Sequence, residues 1–213
     1  MKKLQSTLPN MLLSLALIAG ICGLCLGGVY TLTKEKIDAA AQQKKEAALK
    51  EVLPAYETLQ EGKLALSEDP ARELEYYMAY TGDELVGVAV STYTKKGFNG
   101  EFNLMAGILP DGTLNKVSVL KQGETPGLGA KMTEPAFYAQ FEGKNPASFR
   151  FIVKKDGGDV DAITAATISS RAYCDALDRA FKVFAQLTGE PEQAAEETTD
   201  AQSGATQTQS TNL

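Results

Sequence analysis

The chain has 213 residues, 44% of them hydrophobic and 23% charged, a composition that fits one globular domain with extra segments. Histidine is absent, so Ser-His-Asp triads, Cys-His dyads, histidine proton shuttles and imidazole metal sites are excluded together. The net charge of −6 owes most to Glu190, Glu192, Glu196, Glu197 and Asp200, and the nearly balanced remainder offers no basic footprint for nucleic acid.

Residues 11–32 carry no charged side chain, and at about 1.5 Å per residue they are long enough to cross a hydrocarbon core of roughly 30 Å. We read them as a retained membrane helix behind a short N-terminus, residues 1–10. A cleaved signal peptide fits less well, because the apolar run is too long and Leu26 and Tyr30 spoil a small-residue cleavage site. Lys2 and Lys3 precede the span and Lys34, Lys36, Lys44, Lys45 and Lys50 follow it, but the charge rule is weak for long translocated segments and leaves the direction open. Cys22 and Cys25 lie inside the span and Cys174 is far away, so neither a disulfide framework nor a zinc cluster can be assembled. Redox chemistry would need a bound cofactor.

Residues 33–53, rich in Ala, Lys, Glu and Gln, have helical spacing up to Pro54 and predict a juxtamembrane helix. A globular domain then spans 54–188. There the period changes to two: 74–80 and 85–93 flank Thr81-Gly82-Asp83-Glu84, and 102–109 is joined to 114–120 through Pro110-Asp111-Gly112-Thr113. These are two hairpins of a mainly antiparallel sheet. Asp156-Gly157-Gly158 marks a turn, 160–163 reads as a short strand, and 170–188 is a helix with Tyr173, Leu177, Phe181, Phe184 and Leu187 inward. Residues 189–213 lack large apolar side chains before Leu213 and read as a disordered acidic tail. The predicted class is α+β: one transmembrane helix, then an antiparallel sheet with flanking helices.

Two motifs carry chemistry. In Asp161-Ala162-Ile163-Thr164-Ala165-Ala166-Thr167-Ile168-Ser169-Ser170, Thr167, Ser169 and Ser170 are candidate N-caps whose helix would present backbone N–H groups to a phosphate. By itself the segment also reads as an ordinary capped helix. In Glu124-Thr125-Pro126-Gly127-Leu128-Gly129-Ala130-Lys131, Pro126-Gly127 predicts a type II turn, and the glycines allow close approach to a flat ligand. Alone, it could equally be a surface turn.

Together the motifs resemble the FMN-binding domain of the G subunit of the Rnf ion-translocating electron transport complex. The C subunit of the sodium-pumping NADH:quinone oxidoreductase is a near neighbour. The resemblance implies that Thr167 carries FMN through a phosphoester bond, with Ala166 in the same motif, and that Asp161 and Thr164 are recognition elements for a flavin transferase or local capping groups; Ser169, Ser170, Glu124, Thr125, Gly127, Leu128 and Gly129 are expected to border the flavin. It implies an electron-carrier subunit working with other membrane and peripheral subunits, rather than a stand-alone enzyme, with its large domain outside the cytoplasmic membrane. The C subunit itself, an anchored sensory or ligand-binding domain without covalent flavin, and a flavin-dependent reductase acting alone are the alternatives. The family's usual Gly is Ala165 here, so either that residue has ordinary angles or the loop differs.

Overall fold

A computed structural model describes residues 8–189; residues 1–7 and nearly all of the acidic tail, 190–213, lie outside them. The apolar run and the segment after it form one unbroken helix, α1 (Leu8–Val52), of 45 residues, which is roughly 68 Å long. Leu12, Leu15, Ile18, Leu24 and Leu26 are exposed along it, and the helix is long and apolar enough to cross a membrane. Only its end is buried, at Ala48, Leu49 and Val52.

Five strands follow: β1 (Thr58–Ala65), β2 (Glu73–Thr81), β3 (Glu84–Thr94), β4 (Phe102–Ile108) and β5 (Leu114–Lys121), antiparallel throughout in the order β1-β2-β3-β4-β5. Both predicted hairpins are present. Thr81 pairs with Glu84 around Gly82 at φ 60°, the two-residue hairpin turn with its first central residue left-handed. In the β4–β5 turn the Leu109 N–H donates to the Thr113 carbonyl, and the Thr113 N–H donates to Asp111. β1 is an addition to the expected set. Its polar residues alternate only between half-buried and exposed, and what makes it a strand is its pairing with β2 from Thr58↔Tyr80 to Ala65↔Glu73.

The sheet buries both faces, a consequence of its period-two alternation. Val88, Val90, Leu104 and Ala106 pack with α3 (Thr167–Thr188), while Tyr77, Ala79, Ala89 and Met105 pack with Ala48, Leu49, Val52 and Leu53 at the end of α1. On α3, Tyr173, Leu177 and Phe184 face inward as expected, with Phe181 and Leu187 partly buried. The small Ala172, Ala176 and Ala180 are fully covered, which lets the helix lie close enough for the Thr92 hydroxyl to donate to the Ala176 carbonyl at 2.8 Å. Cys174 is buried, and burial pushes its thiol pKa up to about 12; it packs and does not react.

Between β5 and α3 the chain forms a short helix α2 (Pro135–Tyr138), and Phe137 and Phe141 pack against Tyr173 at ring separations of 5.2 and 5.1 Å. The segment 160–163, expected as a strand, makes a single parallel bridge, Val153↔Val160. α3 starts three residues before the predicted 170, because Ser170 N–H already bonds back to the Ala166 carbonyl.

Candidate functional site

The site is built where α3 begins. Its N-cap is Ala166, at φ −133° and ψ 44°, and no side chain caps the helix. This corrects the expectation that Thr167, Ser169 or Ser170 supplies the cap: they occupy the first turn instead. Ser170 Oγ turns back, donating to the Ala166 carbonyl at 3.0 Å and accepting from the Ile163 N–H at 2.9 Å, which ties the incoming loop to the helix. An alanine cap leaves first-turn N–H groups without a side-chain acceptor, so the half-buried Thr167 stands beside the positive end of a 22-residue helix. That arrangement suits a phosphoryl group.

Ala165 has φ 59°, the one positive φ among the described non-glycine residues. Ordinary helical or extended angles are thereby excluded: the backbone takes a left-handed geometry that glycine adopts freely, and alanine is held in it. The conformation costs about 1–2 kcal/mol in an L-residue.

The second motif folds back against the first. Thr125-Pro126-Gly127-Leu128 is the expected type II turn, closed by Leu128 N–H to the Thr125 carbonyl at 3.1 Å, with Gly127 at φ 77°. Gly129 is needed for a different reason. A side chain there would stand 2.5 Å from both Glu124 Oε2 and Ser169 Oγ. Those two atoms join the motifs directly, since Ser169 Oγ donates to Glu124 Oε2 at 2.9 Å and both residues are buried. The other carboxylate oxygen accepts the Asn99 N–H at 3.3 Å.

The structure therefore brings Glu124, Gly129 and Ser169 into contact, with Thr125, Gly127 and Leu128 in the adjoining turn and Thr167 and Ser170 on the same helical turn. Asp161 points elsewhere: it pairs with Lys154 at 2.7 Å and is anchored through its backbone by Gln140. Thr164 is exposed. The sequence reading missed the loop 95–100, which closes over Glu124 through Asn99 and Gly97; Asn99 also donates to the Gly123 carbonyl at 2.5 Å. Its signal is Gly97 and Gly100 flanking an aromatic residue between two strands, a pattern that reads as an ordinary long turn.

The residues of this site fall inside a match to the FMN-binding domain family, residues 97–182, and residues 11–52 match the RnfG N-terminal region. The chain is 35% identical to the G subunit of the ion-translocating oxidoreductase complex of Shewanella baltica, over 80% of this chain and 86% of that protein. It is 32% identical to the protein of the same name from Methanosarcina acetivorans, over 81% and 92%. Among solved structures, the crystal structure of Shewanella oneidensis NqrC shares 25% identity, covering 65% of this chain and 70% of that one with a TM-score of 0.44. The match to the RnfG N-terminal region, the FMN-binding match and these relatives over most of both chains place the protein in the family of ion-translocating oxidoreductase complex G subunits.

Proposed function

We infer that this chain is a membrane-anchored flavoprotein subunit that relays electrons through FMN, esterified to Thr167 by its phosphate, within a complex coupling ferredoxin and NAD electron transfer to ion translocation. The observation that carries the reading is the Ser169–Glu124 contact. It holds an uncapped helix start, with a hydroxyl residue at its first position, against a glycine loop. When bound, the flavin supplies the electron chemistry. The chain supplies position: first-turn N–H groups bind the phosphoryl oxygens, Leu128 and Ile168 offer exposed apolar surface to a ring, and Gly127 and Gly129 let the loop lie close. A separate flavin transferase would form the ester from a flavin dinucleotide donor, the Thr167 O–P bond forming as the donor's phosphoanhydride bond breaks and its nucleotide monophosphate leaves; that enzyme would supply the base, so none is needed beside Thr167. The exposed Asp161 and Thr164 remain accessible to such an enzyme. The other subunits of the complex are its donors and acceptors, and its large domain lies on the outer side of the membrane.

The test is intact mass and in-gel fluorescence after co-production with a flavin transferase. The wild-type chain should gain the mass of one FMN less one water on the Thr167 peptide, and Thr167→Ala should lose the fluorescent band that survives denaturation, while Ser169→Ala at most weakens it. A band persisting in Thr167→Ala would move the attachment elsewhere.

A further inference from the structure

Outside α1, the exposed large apolar side chains among the described residues are Phe98, Leu128 and Ile168. Each is the chain neighbour of a residue packed on Glu124: Phe98 lies between Gly97 and Asn99, Leu128 precedes Gly129, and Ile168 precedes Ser169. They surround one spot at one end of the sheet. Phe98 is the most exposed of the three, at 67%. Lys95 and Lys96 precede it, with side chains 62% and 69% exposed although paired to Asp69 and Asp175.

The course of α1 fixes which way that end faces. Lys45 pairs with Glu75, and Leu53, eight residues on, lies against Gly87, the strand partner of Ala79. Eight helical residues advance about 12 Å and the four strand steps from Glu75 to Ala79 about 13 Å. The end of α1, packed over β4 and β5, therefore points in the same direction as β2. Traced backward, the helix leaves the sheet past Glu75, at the end where β3 finishes at Thr94, β4 starts at Phe102 and β5 finishes at Lys121. The loop 95–100 and the loop 124–131 extend from that same end; the two hairpin turns are at the other.

From Lys45 back to Leu32, where the apolar run ends, α1 covers about 20 Å. Ser91 is level with Glu75, β3 spans about 10 Å of that distance by Thr94, and the loop adds several more. Measured along the helix, that leaves Phe98 within roughly 10 Å of the level of Leu32, a distance comparable with the depth of a headgroup layer outside the hydrocarbon.

We propose that the loop 95–100 rests on the bilayer that holds α1, with the Phe98 ring seated among the lipid headgroups and Lys95 and Lys96 facing lipid phosphates. One ring and two lysines bind weakly alone. Tethering by α1 supplies the effective concentration that makes a weak contact sufficient. The contact sets the orientation of the domain and turns the opening beside Thr167 toward the membrane plane, so that its electron partners are groups at that surface. This inference rests on α1 being an anchor and is independent of flavin attachment.

The chain contains no tryptophan, so Phe98→Trp provides a single emitting reporter that keeps an aromatic ring. The full-length chain without flavin is reconstituted alone in phosphatidylethanolamine–phosphatidylglycerol vesicles, with or without shallow spin-labelled lipid. Asp83→Trp, in the exposed turn at the far end, and Leu26→Trp, in the span, serve as references. Phe98→Trp should emit at shorter wavelength than Asp83→Trp and be quenched by the labelled lipid, as Leu26→Trp is by a deep label. Emission of Phe98→Trp matching Asp83→Trp while Leu26→Trp is quenched would overturn the lipid contact and leave the anchor intact. An unquenched Leu26→Trp would overturn both. Shielding of Phe98→Trp only when the membrane subunits of the complex are added would replace the lipid with a protein partner.

Discussion

At position 165 the backbone demands a left-handed conformation that the side chain opposes, since Ala165 sits at φ 59° immediately before the cap of α3. The geometry is imposed from both sides: the Ala166 N–H bonds to the Ile163 carbonyl at 2.9 Å, and Ser170 Oγ holds the Ile163 N–H. Ala165→Gly relieves the strain but loosens the unfolded chain. The strain is the larger effect, so the substitution should stabilise the domain by about 0.5–1 kcal/mol. A higher urea midpoint at unchanged m-value would show it; an unchanged or lower midpoint would mean that alanine is accommodated without strain.

Between elements, α3 is fastened to β3 by Asp175, which accepts from the Thr94 hydroxyl at 2.8 Å and from Lys96 Nζ at 2.7 Å. Burial works against this carboxylate, but the hydrogen bonds from Lys96 and Thr94 outweigh it and hold its pKa below the ordinary aspartate value. A carboxylate with a depressed folded-state pKa contributes stability above its unfolded value, near 4, and that contribution is lost as pH falls through the folded value. Asp175→Asn should therefore destabilise the domain by about 1–2 kcal/mol at neutral pH, and the difference should shrink below about pH 4. Denaturant midpoints measured from pH 7 to pH 2 would test this. A difference that stays constant with pH would assign the loss to packing.

At the scale of the whole molecule, a three-layer domain is welded to its own membrane helix: the end of α1 forms one outer layer and α3 the other. Asn115 donates to the Val52 carbonyl at 2.7 Å, and Glu51 accepts from Ser118 at 2.8 Å. No linker separates the domain from the apolar segment, because the helix that carries it continues unbroken onto the sheet. With the large domain on the outer side, as proposed, protease added to spheroplasts should digest it while leaving cytoplasmic markers intact. Digestion only in inside-out vesicles would reverse the topology.

Local patterning was enough for the span, the two hairpins and the inward face of α3, because helical and period-two spacing are written residue by residue. The type II turn at Pro126-Gly127 was legible for the same reason. β1 was not, since its polar sequence becomes a strand only through the ladder offered by β2. The start of α3 was not legible either, because hydroxyl residues at 167, 169 and 170 look like caps, whereas the tertiary fold spends Ser169 on Glu124 and Ser170 on the loop at Ile163. The sequence by itself determined that there is an apolar helix long enough for an anchor, an antiparallel sheet and a glycine turn at Pro126-Gly127. Only the tertiary structure decided that the motifs meet across a buried carboxylate, that the loop 95–100 joins them, and that all three lie at the end of the sheet from which α1 departs. Those are contacts between residues far apart in the chain, and local propensity carries no record of them.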